Sequence, residues 1–228
     1  MPARPAMDTR LHPFTAIRAV RTLIANPGDT RQIFVIFRAM RGRSGLKSFQ
    51  RFQASPAGQA VLAERRVLLD VLSDRAALSR LPEGSLGRTY FDFMEGENLS
   101  ANGLVQASQD WDSDPVSPDV ALFRERMRDA HDLTHVLTGY GRDPLGEVCL
   151  LAFMYQHAKN LGQALIVAMS WPRLPKVARP AVKQAWRNGK KSALFHNLDF
   201  EALLPRPLAD IRRELNIADP GLYRAMTA

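Results

Sequence analysis

The residues best suited to chemistry are two histidines and two carboxylates near the middle of the chain. His131 and His135 stand four apart in the segment HDLTH, which also contains Asp132, and Glu147 follows twelve positions later. Histidines four residues apart lie on one face of an α-helix, the spacing with which H-E-x-x-H metalloproteases hold zinc. Asp132 lies about 100° around such a helix from His131, with His135 between the two directions. The pattern therefore predicts three candidate ligands in one sector of a helix.

The segment after these histidines predicts a sharp turn into a second, antiparallel helix. Gly139 or Gly141 suits a left-handed C-cap, and Asp143 with Pro144 suits an N-cap and a first helical position. Glu147 then falls in the first turn of the second helix or just beyond it, where it can face back across the hairpin. Two imidazoles with one or two carboxylates form a ligand set for a divalent metal. Zinc is the first expectation, and iron, manganese and cobalt remain open.

The histidine spacing is weak by itself, because two histidines also pack or cap helices without a metal. Phe123 and Met127 extend the line of the two histidines at four-residue intervals, so the histidines continue an apolar stripe into the interior. Buried polar groups need partners, and one metal would satisfy several of them. His157 lies ten residues after Glu147, about 80° from its direction on a helix, so we do not expect it to be a ligand.

The periodicity of the whole chain predicts one all-α domain spanning residues 1–228, because no stretch alternates with a period of two. Residues 41–45 are expected to form a basic loop and residues 96–119 the longest loop. Residues 144–170 are the most apolar stretch, but charged and amide side chains interrupt it, so it predicts a buried central helix rather than a membrane span. The other helices are expected at 14–25, from Asp29 to near Gly42, from Ser55 to Ala63, at 67–72, from Asp74 to Leu81, after the turn at 82–87, from Ser117 through the histidines, around 181–190 and after Pro207.

Charge is unevenly distributed along this chain, whose net charge is +8. Residues 1–55 hold ten Lys/Arg and two Asp, and residues 173–191 hold seven Lys/Arg and no acid. Such patches suit nucleic acid, an anionic membrane surface or an acidic protein, unless they are simply solvated helix faces. The chain has no zinc finger, aromatic RNA-binding signature or isolated basic tail, so we do not expect nucleic acid as a partner.

The basic helix predicted around residues 181–191 has the composition of a membrane-interface helix. Trp186 stands among four cations, Lys183, Arg187, Lys190 and Lys191. We expect this helix to dock on an anionic bilayer. The two alternatives are that Trp186 packs inward, or that the arginine-rich first 55 residues supply the docking patch.

The cysteine usage and the N-terminus predict an unexported protein. The single cysteine, Cys149, excludes an internal disulfide, fits a reducing compartment and lies in an apolar run typical of a core. No secretory apolar region follows the first methionine.

Three ordered motifs resemble the ubiquinone (coenzyme Q) biosynthesis protein 4 family. The family signature of H-D-x-x-H, a glycine and a Gly-Glu pair stands here as HDLTH from position 131, Gly139 and Gly146-Glu147. Residues 55–65 look like its P-x-G…L-x-E-R segment, and residues 81–90 look like its L-P-x-G-S-L-G-x-x-Y segment. The resemblance covers roughly residues 15–215.

The resemblance implies that His131, Asp132, His135 and Glu147 bind a divalent metal, usually described as zinc, within an all-helical fold. It also implies a groove for a polyprenyl chain, for which the apolar residues of 144–170 are candidates. Four phenylalanines add to that set: Phe34, Phe37, Phe91 and Phe93. The expected partners are the polyprenyl lipid substrate, a membrane surface and other ubiquinone biosynthesis proteins, with a homodimer left open. A bacterial cytoplasm, peripheral to the inner membrane, is the expected location, because the long mitochondrial presequence of eukaryotic members is lacking.

Two roles follow from the resemblance. One is an enzyme that replaces the C1 carboxylate of a polyprenylated 4-hydroxybenzoate with a hydroxyl, and the four metal-site residues would then be catalytic. The other is a non-catalytic scaffold that organises the biosynthetic enzymes around their lipid. A metal can polarise the carboxylate, but the new hydroxyl needs an oxidant and zinc has no redox chemistry. A redox metal, or direct reaction of oxygen with the electron-rich ring, would supply it.

An unrelated metallohydrolase is the remaining class. In H-E-x-x-H enzymes the glutamate is the catalytic base, and the shorter Asp132 reaches less far. An HD-type phosphohydrolase would need a further upstream histidine and a downstream aspartate. The only upstream histidine is His12, close to the terminus.

Overall fold

The computed structural model describes residues 9–26, 29, 31–97, 99–101 and 116–227, and these residues form helices joined by turns. No β-strand occurs in these ranges; one isolated antiparallel bridge joins Ser85 to Pro207. The predicted all-α fold class is confirmed. The α-helices are α1 (Pro13–Ala25), α2 (Arg31–Ala39), α3 (Ser44–Ala54), α4 (Pro56–Glu64), α5 (Leu68–Ser73), α6 (Arg75–Ser79), α7 (Leu86–Gly96), α8 (Pro118–Asp129), α9 (His131–Thr138), α10 (Pro144–Ala158), α11 (Leu161–Ser170), α12 (Arg179–Lys191), α13 (Phe200–Leu203), α14 (Leu208–Glu214) and α15 (Gly221–Thr227). Two 3₁₀ turns lie at Lys176–Ala178 and Phe195–Asn197.

Several helices begin at the small polar residues that the sequence indicates. The hydroxyls of Ser55, Ser85 and Ser117 accept backbone N–H bonds of 3.0, 3.2 and 3.3 Å in the first turns of α4, α7 and α8. Each side chain satisfies a backbone donor that has no partner within its helix. These caps fix where α7 and α8, the neighbours of the histidine helix, begin.

Three predictions about helix boundaries are wrong. The predicted helix over 144–170 is broken after Ala158, because Lys159 adopts a left-handed conformation (φ 54°) and Asn160 caps α11. The predicted helix through the histidines is divided at Ala130, so the histidines lie on the separate helix α9. The basic loop ends at Arg43, and α3, which was not predicted, begins at Ser44. The predicted loop over 96–119 lies mostly outside the described residues.

The largest core cluster draws its side chains from α5 through α15 and surrounds α9 and α10. Among its most buried members are Leu133, Leu137, Cys149 and Phe153. The prediction that Cys149 belongs to the core is therefore confirmed. Within the described ranges no helix is long and apolar enough to span a membrane.

A buried ion pair ties α8 to α13. The Arg126 side chain is completely buried and donates two hydrogen bonds, of 2.6 and 2.5 Å, to the Glu201 carboxylate. A third bond of 3.3 Å reaches the carbonyl of Leu198, and the guanidinium lies over the Phe200 ring. Arg66 extends the network by pairing with Asp199 at 2.9 Å. A charge so far from water is stable only with such partners.

Candidate metal centre

The hairpin of α9 and α10 positions every candidate ligand. His131 and His135 lie one turn apart on α9, and α9 ends at Gly139 in the left-handed conformation (φ 74°). Asp143 then caps α10 by accepting N–H bonds from Leu145 and Gly146 at 3.0 and 3.1 Å. Glu147 consequently stands in the first turn of α10, and the predicted turn chemistry is confirmed.

The C-terminal helix holds the turn closed. The Tyr223 hydroxyl of α15 donates to the Asp143 carboxylate and accepts an N–H bond of 2.9 Å from Gly141. Gly146 is packed against this turn so closely that a Cβ there would lie 2.1 Å from the carbonyl oxygen of Gly141. Any larger residue would push the turn apart and carry Glu147 away from α9.

The two imidazoles and Asp132 form a compact cluster. One candidate ligand atom from each of His131, Asp132 and His135 lies within 4.8 Å of the others. The Nε2 atoms of the two histidines are 3.3 Å apart, and Glu147 Oε1 lies 3.5 Å from His135 Nε2. The structure therefore brings all four predicted residues together, with Glu147 next to His135 and outside the tightest group of three.

Backbone contact fixes the tautomer of His135. Its Nδ1 lies 2.9 Å from the carbonyl oxygen of Tyr140, which can only accept, so Nδ1 carries the proton. Nε2 is left with a lone pair directed at His131 and Glu147. Burial lowers the pKa of each site histidine to about 4, so both imidazoles are neutral at pH 7. Neutral imidazoles are the form that binds a metal.

The two carboxylates experience the opposite effect of burial. Burial raises the pKa of Asp132, although the charges of His135 and Arg142 oppose the shift. Burial, together with the negative charges of Asp132 and Asp143, raises the pKa of Glu147 to about 7 against the opposing charge of Arg142. A nearby cation would favour the ionised form of both carboxylates.

The arrangement fits a divalent ion. A tetrahedral metal bound to two imidazole nitrogens at about 2.0–2.1 Å holds them about 3.3–3.4 Å apart. The Nε2 atoms of His131 and His135 have this separation. A hydrogen bond from His131 to His135 would give the same distance. It would not provide a partner for the buried Asp132 Oδ1, which makes no hydrogen bond within the described residues. His131, His135, Asp132 and Glu147 are the residues that could hold the ion.

The sequence of this chain matches a known protein family over most of its length. The family model for coenzyme Q (ubiquinone) biosynthesis protein Coq4 matches residues 12–221. The chain belongs to the Coq4 family. Proteins of this family take part in ubiquinone biosynthesis, so the resemblance carried by the three sequence motifs is confirmed.

Named relatives of this Coq4-family chain come from animals and fungi. The mitochondrial COQ4 homologue of Danio rerio is 29% identical to this chain, and the alignment covers 90% of this chain and 77% of the relative. The mitochondrial COQ4 proteins of Yarrowia lipolytica and Homo sapiens are 28% and 27% identical and cover 75% and 74% of this chain. These matches span 65% and 63% of the two relatives, so this chain corresponds to less than two thirds of their length.

A solved structure shares the fold. A crystal structure of a protein from Nostoc punctiforme, provisionally named a ubiquinone biosynthesis protein, superposes with a TM-score of 0.65 at 20% identity. The match covers 92% of this chain and 100% of the other. The helical arrangement of the Coq4-family chain therefore occurs in a solved protein.

Sequence reasoning missed the residues that support the cluster from elsewhere in the fold. Phe93 of α7 stacks on the His135 ring at 6.1 Å, and Tyr140 supplies the carbonyl that sets the tautomer. Tyr223 clamps the turn from 80 residues away. The aromatic enrichment of α7 was visible in the sequence, but it gave no sign of which ring would face a histidine.

His157 is a structural residue, as the sequence suggested. The Phe195 N–H donates to its Nδ1 at 3.3 Å, so its Nε2 carries the proton. This Nε2 donates to the carbonyl of Gly189 at 3.2 Å and to Ser192 Oγ at 2.9 Å. All of its hydrogen-bonding capacity is used far from the candidate ligands.

Acid should destabilise the fold through His157. Burial, aided by the charge of His196, lowers its pKa to about 4, so the unfolded chain takes up the proton first, near pH 6.5. Its stabilising contribution is therefore complete above pH 6.5 and is lost as the pH falls toward 4. We expect it to account for about 2 kcal/mol of the stability lost between pH 7.5 and 5. Urea unfolding of His157→Gln at both pH values should show a pH dependence smaller by this amount; an unchanged pH dependence would contradict the assignment.

Proposed function

We propose that this protein is a metal-dependent enzyme of ubiquinone biosynthesis that replaces the C1 carboxylate of a polyprenylated 4-hydroxybenzoate with a hydroxyl. The observation that carries the proposal is the pair of Nε2 atoms 3.3 Å apart, next to an Asp132 oxygen that has no hydrogen-bond partner in the part of the chain that the structure describes. This geometry lies in the motif through which the chain resembles its family. His131 and His135 are the proposed ligands, with Asp132 and Glu147 completing or supporting the set. Zinc is the first candidate, followed by iron, manganese and cobalt.

The reaction defines what each residue must do. The bond between C1 and its carboxylate breaks, carbon dioxide leaves, and a hydroxyl forms on C1. Molecular oxygen is the proposed oxidant. When no other reductant takes part, it takes up two electrons and is released as hydrogen peroxide, and one water molecule supplies the hydroxyl oxygen on C1. A bound divalent metal supplies a Lewis acid for the substrate carboxylate. Glu147 Oε1 lies 3.5 Å from His135 Nε2, and in the ionised form that a bound cation would favour, this carboxylate can accept a proton.

An apolar cavity next to α7 is the proposed location for the start of the prenyl tail. It encloses about 90 Å³, and its walls include Leu72, Phe91 and Met94. Tyr90 also lines it and belongs to α7, the helix whose Phe93 ring stacks on His135. Of the residues expected to form the groove, Phe91 lines this cavity, whereas Val148, Leu150 and Phe153 of α10 are buried in the core.

Filling this cavity should weaken tail binding. Each buried CH₂ contributes about 0.8 kcal/mol, so affinity should rise with the number of isoprene units. Ser73→Phe narrows the cavity from its polar side, and we expect it to reduce that rise while metal content stays unchanged. Native mass spectrometry with geranyl, farnesyl and geranylgeranyl forms of 4-hydroxybenzoate measures the trend. Affinity independent of tail length in the unmodified protein would contradict the cavity assignment.

The proposed membrane contact involves α12. Lys183, Arg187, Lys190 and Lys191 are exposed on this helix, whereas Val182 and Ala185 are buried. Trp186 stacks on Tyr155 at 4.8 Å and remains 39% exposed, which places it at the edge of the helix face rather than in the core. The alternative surface is α1, where Phe14 is 86% exposed.

Reversing the charge of α12 tests this contact. Each cation near an anionic bilayer contributes about 1 kcal/mol, so changing Lys183, Arg187, Lys190 and Lys191 to Glu should remove most sedimentation with phosphatidylglycerol vesicles at low salt. Neutral phosphatidylcholine vesicles are the control. A variant with Phe14→Ser tests α1 in the same assay. Wild-type sedimentation by the reversed variant would show that α12 is not the docking surface.

Turnover separates the enzyme from the scaffold. The protein is loaded in turn with zinc, iron, manganese or cobalt and incubated in air with farnesylated 4-hydroxybenzoate labelled at the carboxyl carbon. The proposal expects labelled carbon dioxide and a product in which a hydroxyl has replaced the carboxylate. If every metal form binds the lipid but releases no carbon dioxide, the enzymatic proposal fails and a scaffold role remains.

A further inference from the structure

Among the described residues, Arg142 is a cation that pairs with no carboxylate, and it belongs to the hairpin of the candidate metal centre. Arg142 lies in the turn between α9 and α10 and is half-buried. Its Nε is enclosed and makes no hydrogen bond within the described residues, and no carboxylate of those residues pairs with the guanidinium. The adjacent Asp143 is already occupied by the N-cap of α10 and by Tyr223. A partly desolvated guanidinium in this situation lacks an anion.

The charge of Arg142 acts on the whole cluster. It lowers the pKa of His131 and His135, and it opposes the raised pKa of Asp132 and Glu147. This effect on all four groups agrees with the position of Arg142 in the turn that joins the two ligand-bearing helices. With two neutral imidazoles, Asp132 and Glu147 at most balance a divalent ion. The oxygens of Asp143 accept hydrogen bonds from α10 and Tyr223, so they are not paired with the guanidinium of Arg142. The N–H donors of Arg142 that have no partner among the described residues are therefore free to bind an anion.

We propose that Arg142 binds the carboxylate of the substrate and thereby directs C1 toward the metal position. This inference rests on the proposed function and names the residue that recognises the group to be removed. A guanidinium offers two parallel N–H donors that match the two oxygens of a carboxylate, whereas the hydroxyl at C4 lies across the ring and offers one oxygen. Arg142 would also distinguish substrate from product, because the product has lost the carboxylate.

Binding measurements test the proposal without turnover. Wild type, Arg142→Gln and Arg142→Lys, each loaded with zinc under nitrogen, are titrated with farnesylated 4-hydroxybenzoate and with the matched farnesylated phenol that lacks the carboxylate. Because hydrogen bonds to charged groups are strong, wild type should bind the acid at least about tenfold more tightly than the phenol. Arg142→Gln should lose at least about tenfold of this preference and keep only the share that the bound zinc contributes, with the affinity for the phenol unchanged. Arg142→Lys should keep more of the preference than Arg142→Gln. Metal content, measured in each sample, should stay unchanged.

The outcomes separate the two proposals. An acid preference as large in Arg142→Gln as in wild type, or absent from wild type, would overturn the role of Arg142 whatever the turnover assay gives. A preference that depends on Arg142, in a protein that releases no carbon dioxide with any metal, would support the binding role and reject the decarboxylation. Loss of metal together with the acid preference in both variants would overturn the inference, because Arg142 would then support the site rather than the substrate.

Discussion

Replacing Glu201 by glutamine should destabilise the protein by about 3–5 kcal/mol. The change keeps the shape of the side chain but removes the charge that compensates the fully buried Arg126. Arg126 then remains in the interior with only neutral partners: the new amide, whose NH2 group cannot accept a hydrogen bond, the Leu198 carbonyl and the Phe200 ring. Urea unfolding followed by circular dichroism measures the loss as a shift of the midpoint at constant slope.

Two controls distinguish the buried charge from a general sensitivity to substitution. Asp210→Asn removes the carboxylate from the exposed pair with Arg213 and should cost less than about 1 kcal/mol. The double variant Arg126→Met with Glu201→Leu removes both charges and should be milder than Glu201→Gln alone. A double variant that is less stable than Glu201→Gln would contradict this account and point to packing of the long side chains.

Replacing His135 by alanine should abolish metal binding. Mutating a residue that only hydrogen-bonds to a metal ligand typically lowers metal affinity by about 10–100-fold. Loss of a ligand itself should lower the affinity by more than that. The fully buried His135 side chain lies between His131 and Glu147, so its loss leaves no nitrogen at the centre of the cluster. The metal content, measured by elemental analysis after dialysis against a weak chelator, should fall from about one divalent ion per chain to near zero.

A matched pair of variants keeps this result interpretable. His135→Gln largely preserves volume and should also lose the metal, which separates ligand loss from a packing defect. His12→Ala removes an exposed histidine and should retain a full complement of metal. Full metal content in His135→Ala would contradict the assignment of the site.

The hairpin was predictable from sequence because its signals are local. Helical spacing places His131 and His135 on one face, and the residue types at Gly139 and Asp143 specify how one helix ends and the next begins. All of this information lies within about twenty residues of the chain. The same locality explains why caps such as Ser55 and Ser117 were placed correctly.

The support of the hairpin was not predictable, because it is assembled by the tertiary fold. Tyr223 reaches the turn from the other end of the sequence, and Phe93 reaches His135 from α7. Arg126 has the residue type of an exposed helix face, and only its contact with Glu201 reveals a buried charge. Lys159 has a high helix propensity, yet it adopts a left-handed conformation and ends α10. At this position the tertiary context overrides the intrinsic propensity.

The most direct test of the account is to locate the metal. Crystals of the zinc-loaded protein, measured on both sides of the zinc absorption edge, yield an anomalous difference map that marks the ion. We predict one peak per chain, about 2.0–2.1 Å from Nε2 of both His131 and His135, with an oxygen of Asp132 or Glu147 at a similar distance. A zinc peak away from these two histidines, or no peak in a protein loaded to one equivalent, would contradict the account.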